Sequence, residues 1–211
     1  MEEIAGELAF SGKGVVKRKQ LLLAGVTPSQ IRSRLRSGVF LVEHPGIYRV
    51  GHRAPTLESA YLAAVWACGD EALLCGLAAA HLYGTVKGKA PPREVLAPNP
   101  HRVAGVVTRR TRRLDPREAT KWRGIPVTTV PRTLVDIAPR SRVDDLARVC
   151  HEAAVRYGVK PSAVEALLLA AGPAARTRGA RPRGELRRYS WDDVFGDSTY
   201  MRAELGLLLR E

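Results

Sequence analysis

Cysteine is scarce in this chain: Cys68, Cys75 and Cys150 are the three in 211 residues. They form no Cys-x-x-Cys pair and no zinc-ligand spacing with the five histidines, which argues against a disulfide framework or a structural zinc. They read as buried thiols in a reducing cytoplasm. Long apolar runs are lacking too. The best, Tyr61 to Tyr83, is broken by Asp70 and Glu71, and none approaches the roughly 18 residues that a membrane span needs. The start, Met1-Glu2-Glu3-Ile4, is acidic and lacks the basic and apolar regions of a secretory signal. There is no Gly-rich phosphate loop, no nucleophile elbow and no internal repeat. Acidic residues are the last shortage: 21 Asp+Glu face 34 Lys+Arg, a net charge of +13.

That surplus is mostly arginine, 27 of the 34 basic residues. Arginine grips phosphates and guanine edges with a bidentate fork where lysine acts as a point charge. A GC-rich genome would raise arginine without raising the net charge. The charge is also concentrated. Between positions 13 and 53 nine basic residues face Glu43 alone, a local balance of +8. Such a block at one end of a globular chain points to a polyanionic partner.

The same block carries helix signals. Glu2 to Phe10 reads as a helix with Ile4 and Leu8 on one face, and Lys17 to Ala24 as a second. Gly25-Val26 is a turn. Thr27-Pro28-Ser29-Gln30 opens a third helix with Thr27 as N-cap, Pro28 in the first helical position and Gln30 completing a capping box. That helix runs to Ser37 and stops at Gly38. Val39 to Val42 and Ile47 to Val50 are strand-like and joined through His44-Pro45-Gly46. Two helices, a glycine turn, a capped helix and a hairpin describe a winged helix-turn-helix. With Ile31 and Leu35 inward, Ser29, Arg32, Ser33 and Arg36 face outward as candidate base and phosphate contacts. Lys17, Arg18, Lys19, Thr27 and Gln30 complete the expected DNA-facing set on the helices, with Arg49 and His44 on the wing.

Gly51 to Pro55 reads as a linker that few contacts need cross, and Thr56 as a fresh N-cap. Beyond it, helices are expected at 56–68, 77–83, 131–138, 143–157 and 162–171. Strands are expected at 72–74, 95–97 and 103–108, and Gly124 to Thr129 leads into the helix at 131–138. The fold class is therefore α+β: a winged helix-turn-helix at 1–53, a mixed α/β domain at 56–170 and an Arg/Gly-rich loop with a helical tail at 171–211.

The chain resembles the AbiEi antitoxins of type IV toxin–antitoxin systems. The likeness lies in Gln20-Leu21, Ala24-Gly25-Val26, Arg36-Ser37-Gly38 and Pro45-Gly46-Ile47-Tyr48. It continues in Arg123-Gly124-Ile125-Pro126-Val127-Thr128-Thr129 and Pro131-Arg132-Thr133-Leu134-Val135-Asp136-Ile137-Ala138. The resemblance implies a winged helix that represses its own operon at inverted repeats of double-stranded DNA. It also implies a second domain that counteracts a nucleotidyltransferase-like toxin without a stable complex. Cys75-Gly76 departs from the Ser-His pair that relatives often carry. Met201 to Leu205 resembles only the start of a very-short-patch-repair-like nuclease extension, so the alternative is the targeting part of a truncated endonuclease. A regulator that binds RNA is a third, weaker reading.

No catalytic residues, cofactor or metal are expected. Arg132 and Asp136, four apart on a helix, read as a structural pair. Arg109, Arg110, Arg112 and Arg113 read as a solvated basic strip, and Asp192, Asp193 and Asp197 as a solvated acidic loop. Cys150 and His151 fall on different faces of a helix and make no dyad.

Overall fold

The computed structural model describes residues 2–51, 54–99, 102–111 and 115–170. The expected loop at 173–188, the helix at 200–210 and the Asp192, Asp193, Asp197 group lie outside the described residues.

The first fifty residues run α1 (Glu2–Ser11), β1 (Val15–Lys17), α2 (Arg18–Leu23), α3 (Pro28–Arg36), β2 (Phe40–His44) and β3 (Ile47–Val50). The strands form an antiparallel sheet in the order β1-β3-β2, with Val16 opposite Tyr48 and Leu41 opposite Arg49. β1 is absent from the sequence reading, because three residues are too few to show an alternation. Its end residue, Lys17, is consequently a strand residue that precedes α2. α1 also differs from expectation. Its buried residues are Ala5 and Ala9, while Ile4 lies on the exposed border. Small side chains let the helix backbone sit close to its neighbours, while Leu8, of the expected pair, packs at the edge of the same core.

The second half contains α4 (Leu57–Ala67), β4 (Leu73–Leu74), α5 (Gly76–Leu82), β5 (Arg93–Ala97), β6 (Val106–Arg110), β7 (Ala119–Trp122), β8 (Ile125–Thr128), α6 (Val130–Ile137), α7 (Val143–Tyr157) and α8 (Pro161–Ala170). Short 3-10 turns occupy Pro116–Glu118 and Ala138–Arg140. The five strands form one mixed sheet, β6-β5-β4-β8-β7, in which β4 pairs parallel to β8 and antiparallel to β5. Together the elements make a mixed helix-and-sheet protein. No helix among the described residues is long and apolar enough to cross a membrane.

Strand alternation explains how the two halves meet. Successive side chains of a strand point to opposite faces. Val16 and Tyr48 join Ala5, Leu21, Val26, Ile31 and Phe40 in a core beneath α1, α2 and α3. Their neighbours Val15 and Ile47 point the other way, into a core shared with Tyr61, Leu62 and Val65 of α4 and with Leu74, Val95, Ile125 and Val127 of the large sheet. The small sheet is therefore buried on both faces. Seven consecutive residues of α4, Ser59 to Val65, are buried as well, as befits a helix with protein on every side. Gly12 marks the closest approach: a Cβ there would lie 2.0 Å from the Val15 carbonyl and 3.1 Å from the Trp66 ring. The expectation that few contacts cross the Gly51–Pro55 junction is thus corrected, since the linker joins two halves of one core.

Candidate nucleic-acid interface

The helix pair is held by backbone and side-chain bonds that the sequence dictates locally. The Lys17 N–H donates to Gln20 Oε1 at 2.9 Å and starts α2. Ala24 and Val26 N–H groups close its end on the Gln20 and Leu21 carbonyls. Gly25 sits at φ +84°, the left-handed region that a side chain would strain. The capping box then forms as expected: Gln30 N–H donates to Thr27 Oγ1 at 3.3 Å, and Thr27 N–H to Gln30 Oε1 at 2.9 Å. Pro28 takes the first helical position, where its missing N–H costs nothing.

Ile31 is 2 % exposed and anchors α3 to the core. Ser29, Arg32, Ser33 and Arg36 are exposed on its other side. Arg34 reaches Glu2 at 3.4 Å. Neither Arg32 nor Arg36 has an acidic partner among the described residues. Arg18 and Lys19 are exposed at the start of α2. Because α4 packs against the small sheet from the opposite side, it leaves this surface uncovered.

The remaining expected contacts lie elsewhere. Lys17 Nζ is 2.6 Å from Asp70 Oδ1 and 5.3 Å above the Trp66 ring, so it is turned toward the second half. Arg49 lies 2.7 Å from Glu43, and both side chains are largely covered. His44 is 6 % exposed, and among the described residues its Nε2 has no hydrogen-bond partner. Burial, then the Arg93 guanidinium, hold its pKa below the ordinary histidine value. The hairpin tip is also pinned, since the Arg18 N–H donates to the Gly46 carbonyl at 2.8 Å. Expecting His44 and Lys17 on the outer surface overlooked the second half packed behind the sheet, and expecting Arg49 there overlooked its cross-strand neighbour Glu43. A signal for it stood in the sequence: Val15-Val16 and Ile47-Tyr48 are adjacent apolar pairs, which a strand buried on both faces shows.

In the second half, Glu94 is 4 % exposed and lies between Arg109 and Arg140, each at 3.1 Å. Arg132 pairs with Asp136 at 3.0 Å, as the spacing suggested, and also with Glu118, which the sequence reading missed. Burial pushes the Asp136 carboxyl above its usual range even with Arg132 beside it. Three arginines and three carboxylates balance in charge, the pattern of a structural network. Cys75, fully buried next to it, has its thiol pushed up by burial. Arg109 therefore belongs to this network, Arg110 is exposed on β6, and Arg112 and Arg113 lie outside the described residues. Cys150 is buried and His151 exposed, on different faces as expected. Among the described residues no group of His, Cys, Asp or Glu could hold a metal ion.

The surface left for a ligand in the first half is thus the outer side of α3 with the start of α2. Residues 7–51 match the AbiEi antitoxin family of transcriptional regulators. The AbiEi match begins within α1 and ends just after β3, so it takes in the capped helix and the small sheet together. No curated protein matches the chain.

Proposed function

We propose that the protein is a DNA-binding antitoxin and transcriptional autorepressor of a type IV toxin–antitoxin operon. In this reading residues 1–53 are a winged helix-turn-helix, α3 enters the major groove of an operator with inverted repeats, and residues 56–170 counteract a nucleotidyltransferase-like toxin in the same cytoplasm. One observation carries it. Ser29, Arg32, Ser33 and Arg36 share the exposed side of a capped helix, on the side of the sheet that α4 leaves open. These residue types bond base edges and phosphates, and the AbiEi match covers the same segment.

The test is a gel-shift titration on the DNA upstream of the chain's own gene. Each of Arg32→Ala and Arg36→Ala should weaken binding by about 1–3 kcal/mol, or roughly 5–150-fold, with the thermal midpoint unchanged because both are exposed. Affinity should fall steeply with salt, by about 0.9 log units per log unit for each phosphate neutralised. Wild-type affinity in the double variant would remove α3 as the reader. The same double variant, co-expressed with the adjacent toxin, should still restore growth, which separates neutralisation from repression.

A further inference from the structure

A cavity of about 590 Å³ opens on the second half, between β7, the start of α6 and the α7–α8 junction. Small-molecule sites typically enclose about 300–1,000 Å³. Its aromatic wall is rigid. Trp122 and Tyr157 meet edge to face, with ring centroids 5.5 Å apart. The Tyr157 hydroxyl donates to the Tyr83 carbonyl, and the Tyr83 hydroxyl donates to the Thr128 carbonyl at 2.8 Å. Beyond its aromatic side chains, the lining offers one cation, Lys160, and three hydroxyls, those of Thr120, Thr129 and Ser162. Among the described residues these hydroxyls have no hydrogen-bond partner and Lys160 no acidic one; Thr129 stands at the N-cap of α6 without capping it.

An aromatic corner accepts a planar ring, which stacks or packs against its edge. The one cation and three hydroxyl donors suit an anionic group, with a phosphate offering enough oxygens to engage all four. A purely apolar occupant would leave them desolvated without partners, at a cost. We propose that this cavity binds a mononucleotide, its base against Trp122 and Tyr157 and its phosphate at Lys160 with the three hydroxyls.

Calorimetric titration of the full chain with each of the four 5′-ribonucleoside monophosphates tests this. At least one should bind, one per chain, and bind more tightly than its own nucleoside, with inorganic phosphate alone giving no detectable heat. Lys160→Glu should weaken that monophosphate at least about tenfold while leaving the nucleoside unchanged. Lys121→Glu, an exposed substitution on β7 outside the cavity, should leave both unchanged. Lys160 and Ser162 are exposed, so the fold should persist, and Ser162→Asp supplies the same repulsion if Lys160→Glu lowers the melting midpoint. No monophosphate binding up to about 1 mM would overturn the proposal. So would equal weakening by Lys121→Glu, which would mark general attraction to a basic protein.

Discussion

His44 sits where the small sheet meets the second half, with Arg93 and Glu43 as its charged neighbours. Its burial favours the neutral ring, so the folded state takes up its proton less readily than the unfolded chain. Such a group contributes stability above the unfolded pKa, near 6.5, and loses it as pH falls toward the lowered folded value. The midpoint of thermal unfolding should therefore drop as pH goes from about 7 to 5. His44→Gln, which cannot titrate, should flatten that drop. An equally steep fall in the variant would exclude His44 as its cause. At this scale the sequence was informative about chemistry and poor about direction. Arg32 and Arg36 face outward as their spacing from Ile31 and Leu35 required. Lys17 and His44 have the right residue types but neighbours far along the chain, Asp70 and Arg93, which local periodicity does not encode, while Arg49 turns to Glu43 on the adjacent strand.

At the scale of elements, α3 was the most legible feature, because its start is set by contacts three residues apart. Thr27, Pro28 and Gln30 each have a local task, and all three perform it in the structure. Thr27→Ala should cost about 1 kcal/mol, read as a lower urea midpoint, and Thr27→Ser should restore most of it. A midpoint equal to wild type would mean that packing through Ile31 alone sets the start of the helix. β1 and β7 were not legible for the opposite reason. Each is three or four residues long and is defined by a partner strand, β1 by residues 30 to 34 positions away. The capped helix α4, helix α7 and the strand core of β5 emerged close to where their patterns placed them, whereas β8 was seen only as the stretch leading into α6. The candidate cavity was invisible in the sequence, since its walls come from residues 83 to 163.

For the molecule as a whole, the decisive fact is that Val15 and Ile47 belong to the core of the second half. Ion pairs reinforce the joint: Glu58 holds Lys13 at 2.6 Å and Arg123 at 2.9 Å. Both cations keep the Glu58 carboxyl below its usual range. The two halves should then unfold together. Ile47→Ala should destabilise the chain by about 2–5 kcal/mol, with tryptophan fluorescence and circular dichroism tracing one common transition. Fluorescence that stays at the wild-type midpoint while circular dichroism shifts would show two independent units. A fragment starting near Pro55 should likewise bind a hydrophobic dye, having lost the cover that Val15 and Ile47 give α4.

The doubly buried sheet also bears on synthesis. β3 is complete at Val50, but the helix that shields its second face ends only at Ala67. At a translation rate of about 5–20 residues per second, Val15 and Ile47 remain uncovered on the nascent chain for roughly one to three seconds after β3 is made. A ribosome stalled in that interval would present a greasy half-built sheet to chaperones, so slow codons between 51 and 67 should raise aggregation more than slow codons placed after α4.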